Sequence, residues 1–170
     1  MNYQIIGAVC IVSACGGFGF ILAARHIQSI QLVRQLISAL DYMACELQYR
    51  NTALPELCRD TAIQCKGRIK LLFAFLSDEL ESQISPNVSY CMNAAVEKSG
   101  DFPSCLQQIF HILGYSLGRF DLSGQLKGLE AARKECRELL QTLLLNKDTR
   151  IRSYQTLGLC AGAAIAILFI

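Results

Sequence analysis

The sequence predicts an all-α protein, a helical-bundle cytoplasmic domain held between an N-terminal and a C-terminal transmembrane helix. Three observations predict it. All 16 Lys/Arg and all 14 Asp/Glu lie between Arg25 and Arg152, so both ends are uncharged. Each end is a continuous apolar run, the first matching a bilayer core of about 30 Å and the second somewhat shorter. Between them, apolar residues recur at helical spacing and no strand-like alternation survives. The chain therefore divides into an N-terminal anchor (1–24), a helical cytoplasmic domain (25–153) and a C-terminal anchor (154–170).

The first anchor centres on Ile5 to Ala24, twenty uncharged and mostly apolar positions. As a helix they reach about 30 Å. The alternative is a cleaved leader, which would export the domain. Against it, Met1 to Gln4 carry no Lys or Arg, the apolar run exceeds a normal leader core, and Arg25 follows at once. At the other end, Leu157 to Ile170 are apolar to the last residue. They reach about 21 Å, or about 25 Å from Tyr154, which suits an interfacial anchor. Arg25 and Arg34 follow the first anchor, and Lys147, Arg150 and Arg152 precede the second. Flanking positive charge stays inside, which puts residues 25–153 in the cytoplasm and both termini outside. Small residues recur every fourth position, at Cys15, Gly19 and Ala23 and again at Gly158, Gly162 and Ala166. Such faces let helices approach closely in lipid, between the two anchors or between copies in a homo-oligomer.

In the middle, Val33, Ile37, Leu40, Ala44 and Leu47 alternate by fours and threes, a helix seam that continues the first anchor. Asn51-Thr52 ends this helix, and Pro55-Glu56 opens the next at a favourable first-turn position. Gly67 divides that helix from RIKLLFAFLSDEL, and Ser85-Pro86-Asn87 forms a loop. A short helix passes through Met92 and Val96 to Ser99-Gly100, and another runs from about Pro103 to Leu117. Gly118 suits a left-handed helix end, and Asp121 suits the cap of the next helix through the N–H of Ser123 or Gly124. That last helix meets no Pro before the second anchor and pairs Glu130 with Lys134.

Composition and motifs exclude several functions. Apolar residues make up 52% and the net charge is only +2, so neither nucleic acid nor an acidic substrate is indicated. No nucleotide phosphate loop, paired Cys-x-x-Cys or H-E-x-x-H is present. Gly16-Gly17-Phe18-Gly19 lies inside an apolar helix and reads as packing. His111 stands six residues from Cys105, off its helical face, so no Cys–His nucleophile is indicated. The nine cysteines are an odd number, and most of them read as buried thiols in a reducing compartment rather than as a disulfide framework. Asn87-Val88-Ser89 fits a glycosylation acceptor, without meaning on the cytoplasmic side. The expectation is a protein that is not an enzyme and binds no cofactor or metal.

Several short stretches carry a more specific signal through their order and spacing. Gly7-Ala8-Val9 lies in the first anchor, followed by the run from Leu32 to Leu40, LVRQLISAL. Glu46-Leu47-Gln48-Tyr49 and Thr52-Ala53-Leu54-Pro55-Glu56 come next. Leu117-Gly118-Arg119-Phe120-Asp121 with Gln125, then Tyr154-Gln155-Thr156-Leu157-Gly158 with Gly162, complete the set. Together they give a chain that resembles the stage III sporulation protein AB family of endospore-forming bacteria over nearly its whole length. The resemblance implies a component of the channel that joins mother cell and forespore during engulfment. It implies a cytoplasmic domain similar to the platform proteins of type II secretion and type IV pilus systems. The implied partners are stage III sporulation protein AA, a secretion-type ATPase, and other membrane components of the channel. The implied location is the outer forespore membrane, with the domain in the mother-cell cytoplasm. Tyr49, Gly118, Asp121, Gln125, Gly158 and Gly162 are the candidate interaction or structural residues.

Two other readings use the same features. One is a membrane-anchored helical interaction domain or enzyme with another role, and the other is an exported, leader-bearing helical domain. Thiol labelling of Cys58 or Cys105 in intact cells separates a cytoplasmic domain from an exported one.

Overall fold

The computed structural model describes residues 2–50, 52–82, 87–118 and 121–145, with Thr156 and Cys160. Within the first helix it describes the side chain of Ala24 and those from Ile27 onward. The described residues form six helices and no strand. These are α1 (Asn2–Arg50), α2 (Leu54–Gln64), α3 (Gly67–Glu81), α4 (Val88–Ser99), α5 (Ser104–Ser116) and α6 (Leu122–Leu145). Two compact units emerge, Met1–Ile30 with Thr142–Ile170, and Gln31–Gln141. The second unit is the helical bundle.

Helix boundaries follow local chemistry. Pro55 stands in the first turn of α2, where its missing N–H costs nothing. At α4 the Asn87 side chain accepts a hydrogen bond from the Ser89 N–H at 3.0 Å. The residue that fits a glycosylation pattern is thus a helix cap. At α6, Asp121 Oδ1 accepts from the Gly124 N–H at 3.0 Å, and the Asp121 carbonyl accepts from the Gln125 N–H at 2.9 Å.

Packing runs in chain order: α2 lies on α3, α3 on α4 and α4 on α5. The core holds Leu57, Ile69, Leu72, Phe73, Leu76, Met92, Leu106, Phe110 and Leu113. Phe102 meets Phe110 edge-to-face, with ring centroids 5.0 Å apart. Ion pairs Arg59–Glu81 and Lys98–Glu79 tie α2 to α3 and α3 to α4 at the surface. Ser77 on α3 donates to the Pro55 carbonyl at 2.9 Å. On the other side of the bundle, Arg133 of α6 pairs with Asp41 of α1.

The buried seam of α1 differs in phase from the one the sequence predicts. Val33, Leu40 and Leu47 are buried, but Leu36 and Met43 complete the seam. Ile37 and Ala44 sit at its half-exposed edge. Two overlapping stripes fit the same apolar pattern, and the neighbouring helices choose between them. On α6, Lys134 lies 4.0 Å from Glu138 rather than pairing with Glu130. Both partners are exposed, so little free energy separates the two choices.

No helix among the described residues is long and apolar enough to cross a membrane. The anchor expected over 1–24 forms the start of α1 in its backbone, but its side chains lie outside the described residues. Apart from Thr156 and Cys160, the anchor expected over 154–170 also lies outside them, as does any continuation of α6 past Leu145.

Candidate functional site

The candidate residues within the bundle gather at one of its ends. There α1 finishes at Arg50, α2 starts at Leu54, α4 starts at Val88, and α5 turns into α6. Gly118 makes the last turn possible with a φ of 74°. Non-glycine residues rarely adopt this left-handed conformation. Space is restricted as well. A Cβ at Gly118 would stand 2.7 Å from Val88 Cγ2 and 3.2 Å from Leu54 Cδ2. The glycine therefore draws the starts of α2 and α4 onto the α5–α6 turn.

Asp121 follows three residues later as the cap of α6, its carboxylate spent on the Gly124 N–H. Gln125 stands one turn further along, with its N–H on the Asp121 carbonyl. Tyr49 lies eight residues beyond Asp41, and Gln125 eight residues before Arg133. The Asp41–Arg133 ion pair joins α1 to α6. Tyr49 is 80% exposed and contributes almost nothing to the core. The structure thus sets Gly118, Asp121 and Gln125 around one turn, and Tyr49 lies at the end of α1, five residues before Leu54, which approaches Gly118. Gly158 and Gly162 lie outside the described residues.

Beside this turn an open groove of about 610 Å³ is lined by Asn87, Val88, Ser89, Gly114, Tyr115, Leu117 and Gly118. Ser89 Oγ donates across it to the Gly114 carbonyl at 2.8 Å. Val88, Leu54 and Gly128 are contributors that the sequence reading missed. A Cβ at Gly128 would stand 2.1 Å from Ser116 Cβ, so α6 crosses α5 in near backbone contact. A glycine within a charged helix, where it costs about 1 kcal/mol, was the available signal.

The thiols divide by burial. Cys58, Cys65, Cys91 and Cys136 are buried. Burial pushes the Cys58 thiol up to about 12, and burial with the nearby Glu135 charge does the same to Cys136. Neither ionises near neutral pH, so neither is a nucleophile. Cys45, Cys105 and Cys160 are exposed, so four of the seven described thiols are buried, and burial of the Cys105 sulfur still raises its thiol. Cys58 is therefore unsuited to the labelling test, whereas Cys45 and Cys105 suit it. Among the described residues, no group of three His, Cys, Asp or Glu is placed to hold a metal ion.

Fold and site together describe a small all-α bundle protein whose candidate residues join helix ends. The chain belongs to the stage III sporulation protein AB family, whose model matches residues 4–170. It is 28% identical over 132 residues to stage III sporulation protein AB of Bacillus subtilis (strain 168), covering 76% of this chain and 77% of that protein. A solved structure of stage III sporulation protein AB is similar in fold, with a TM-score of 0.64 at 20% identity, over 72% of this chain and 98% of that one. The protein's role accordingly lies in sporulation.

Proposed function

We propose that the chain is a non-enzymatic membrane platform of the channel between mother cell and forespore. Its apolar ends anchor it in the outer forespore membrane, and its helical domain faces the mother-cell cytoplasm. There it couples the secretion-type ATPase, stage III sporulation protein AA, to the other membrane components of the channel.

The observation that supports this best is the clustering of Tyr49, Gly118, Asp121 and Gln125 at one end of the bundle. This end is the one remote from Gln31 and Gln141, the bounds of the bundle unit. Tyr49 adds an exposed aromatic ring, a type of residue enriched in the binding energy of protein contacts. Family membership and the charge pattern at the chain ends support the location.

The test is recovery of the ATPase with tagged full-length chain from detergent-solubilised sporulating cells. Wild-type chain should retain it. Tyr49→Ala should reduce recovery while moving stability by no more than about 0.5 kcal/mol, because the side chain is exposed. Failure of the wild-type chain to recover the ATPase would sink the coupling role. In intact protoplasts Cys45 and Cys105 should resist an impermeant thiol reagent, and labelling without lysis would reverse the orientation.

A further inference from the structure

The turn between α2 and α3 concentrates positive charge. No Asp or Glu occurs from Thr61 to Ser77, while Lys66, Arg68 and Lys70 fall within five residues. All three are exposed. Gly67 makes the turn with a φ of 57°, and a Cβ there would meet nothing within 4 Å, so the turn projects into open space. Lys66 and Lys70 form no ion pair among the described residues. The nearby carboxylates are engaged or lie to the side. Arg59 holds Glu81, Lys98 holds Glu79, and Asp60 stands near Tyr42 of α1. Glu97 and Asp101 belong to the neighbouring α4–α5 connection, where the Asp101 carbonyl accepts from Arg68. Asp101 thus offsets part of the Arg68 charge, and the surface is most positive at Lys66 and Lys70. Two aliphatic side chains accompany these cations. Ile63 is 70% exposed and Leu71 46%, each on the side of its helix turned from the buried residues.

We infer that the α2–α3 turn rests on the anionic headgroups of a lipid bilayer. Lys66, Arg68 and Lys70 meet the phosphates, and Ile63 and Leu71 enter the boundary between headgroups and acyl chains. The inference builds on the reading of the apolar chain ends as anchors. Gln64, Cys65 and Lys66 share a groove with Gln35 and Ser38 of α1. The turn therefore lies at the end of the bundle unit that is bounded by Gln31. The apolar run stops at Ala24, seven residues before Gln31. Seven residues span at most about 25 Å however they run. An anchored chain thus keeps this end of the bundle within reach of the bilayer, and tethering raises the local concentration of headgroups around it.

Composition favours lipid over a protein partner. The centres of protein contacts are depleted in Lys and draw most of their energy from Tyr, Trp and Arg. Tyr is absent between Tyr49 and Tyr90, and Trp is absent from the chain. A bilayer asks only for cations level with its phosphates and aliphatic groups just below them, which a basic turn with exposed Ile and Leu supplies. Lys stems also lie along apolar surface while their ammonium groups stay at the headgroups. Each Lys or Arg close to an anionic surface strengthens attachment about fivefold. The attraction fades beyond a Debye length, about 8 Å in physiological salt, so it reports contact.

Because the chain holds no Trp, Ile63→Trp places a single fluorescent reporter at the turn. The position is exposed, so the core stays intact. Full-length chain with this change is reconstituted into vesicles of phosphatidylcholine and phosphatidylglycerol whose brominated acyl chains quench any Trp that touches them. Tyr90→Trp, exposed on α4, serves as the reference. Quenching at position 63 should exceed the reference by about threefold or more, and should fall towards it in phosphatidylcholine alone. Adding Lys66→Glu with Lys70→Glu, or raising the salt, should lower it as well. Equal quenching at the two positions would overturn the inference, as would quenching at 63 that ignores lipid charge and the Lys reversals. If the Lys reversals instead leave quenching at the reference level and reduce ATPase recovery, the turn serves an acidic protein partner and the inference is wrong. Alkaline carbonate extraction of the same vesicles keeps the two readings apart. Wild-type chain that washes out removes the anchors, and the inference falls with them. Chain that stays in the vesicles but is not quenched at 63 sinks the inference alone.

Discussion

Helices α5 and α6 are neighbours in sequence and opposites in how they are held. α5 has 13 residues, no charge, and six buried positions including Leu106, Ile109, Phe110 and Leu113. α6 has 24 residues, seven charges, and only Leu129, Ala132 and Cys136 buried. α5 is held by removal of apolar surface from water. α6 relies more on a few specific points, namely the Asp121 cap, the Gly128–Ser116 crossing and the Arg133–Asp41 pair. The two helices should therefore fail in different ways.

The largest effect should come from the apolar side of this comparison. Leu113 is fully buried, so Leu113→Ala should cost about 2–5 kcal/mol through lost transfer energy and the cavity left behind. Leu140 of α6 is only half-buried, and Leu140→Ala should cost under half as much. Urea midpoints of the purified chain measure both. Equal losses would mean that α6 is held as α5 is.

A smaller effect with an inverted sign tests the crossing. Propensity alone says that alanine at Gly128 should stabilise α6 by about 1 kcal/mol. The clash with Ser116 says otherwise, because its Cβ and backbone have little room to move. Gly128→Ala should therefore lower stability by about 1–3 kcal/mol. A rise in melting temperature would show that α6 does not approach α5 this closely.

The smallest effect is local. Asp121→Ala removes the cap of α6 and should cost about 0.5–2 kcal/mol, while Asp121→Asn, nearly as good a cap, should leave melting almost unchanged. If Asn keeps the melting temperature but abolishes ATPase recovery, the carboxylate serves a contact beyond the cap.

Much of the fold is legible in the residues because helix ends are local events. Thr52, Pro55, Gly67, Ser99-Gly100 and Gly118 all mark real boundaries. The role of Asp121 was readable because a cap and the N–H it accepts from lie within three residues. Asn87 carried the same signal and was overshadowed by a glycosylation pattern. The candidate site was legible residue by residue, but not as one end of a bundle. Nothing local in Gly118 names Val88 or Leu54, which come from two other helices.

The sequence by itself determined the helical class, the breaks between helices, their caps and the segregation of charge away from the ends. Hydrogen bonding within about four residues and the 3.6-residue period suffice for these. Only the tertiary structure decided that Leu36 and Met43, rather than Ile37 and Ala44, complete the α1 seam. It also decided which thiols are buried and where glycine lets α6 touch α5. Each of these depends on a neighbour far away in the chain. Steric exclusion between distant segments selects one arrangement from several that the local pattern allows.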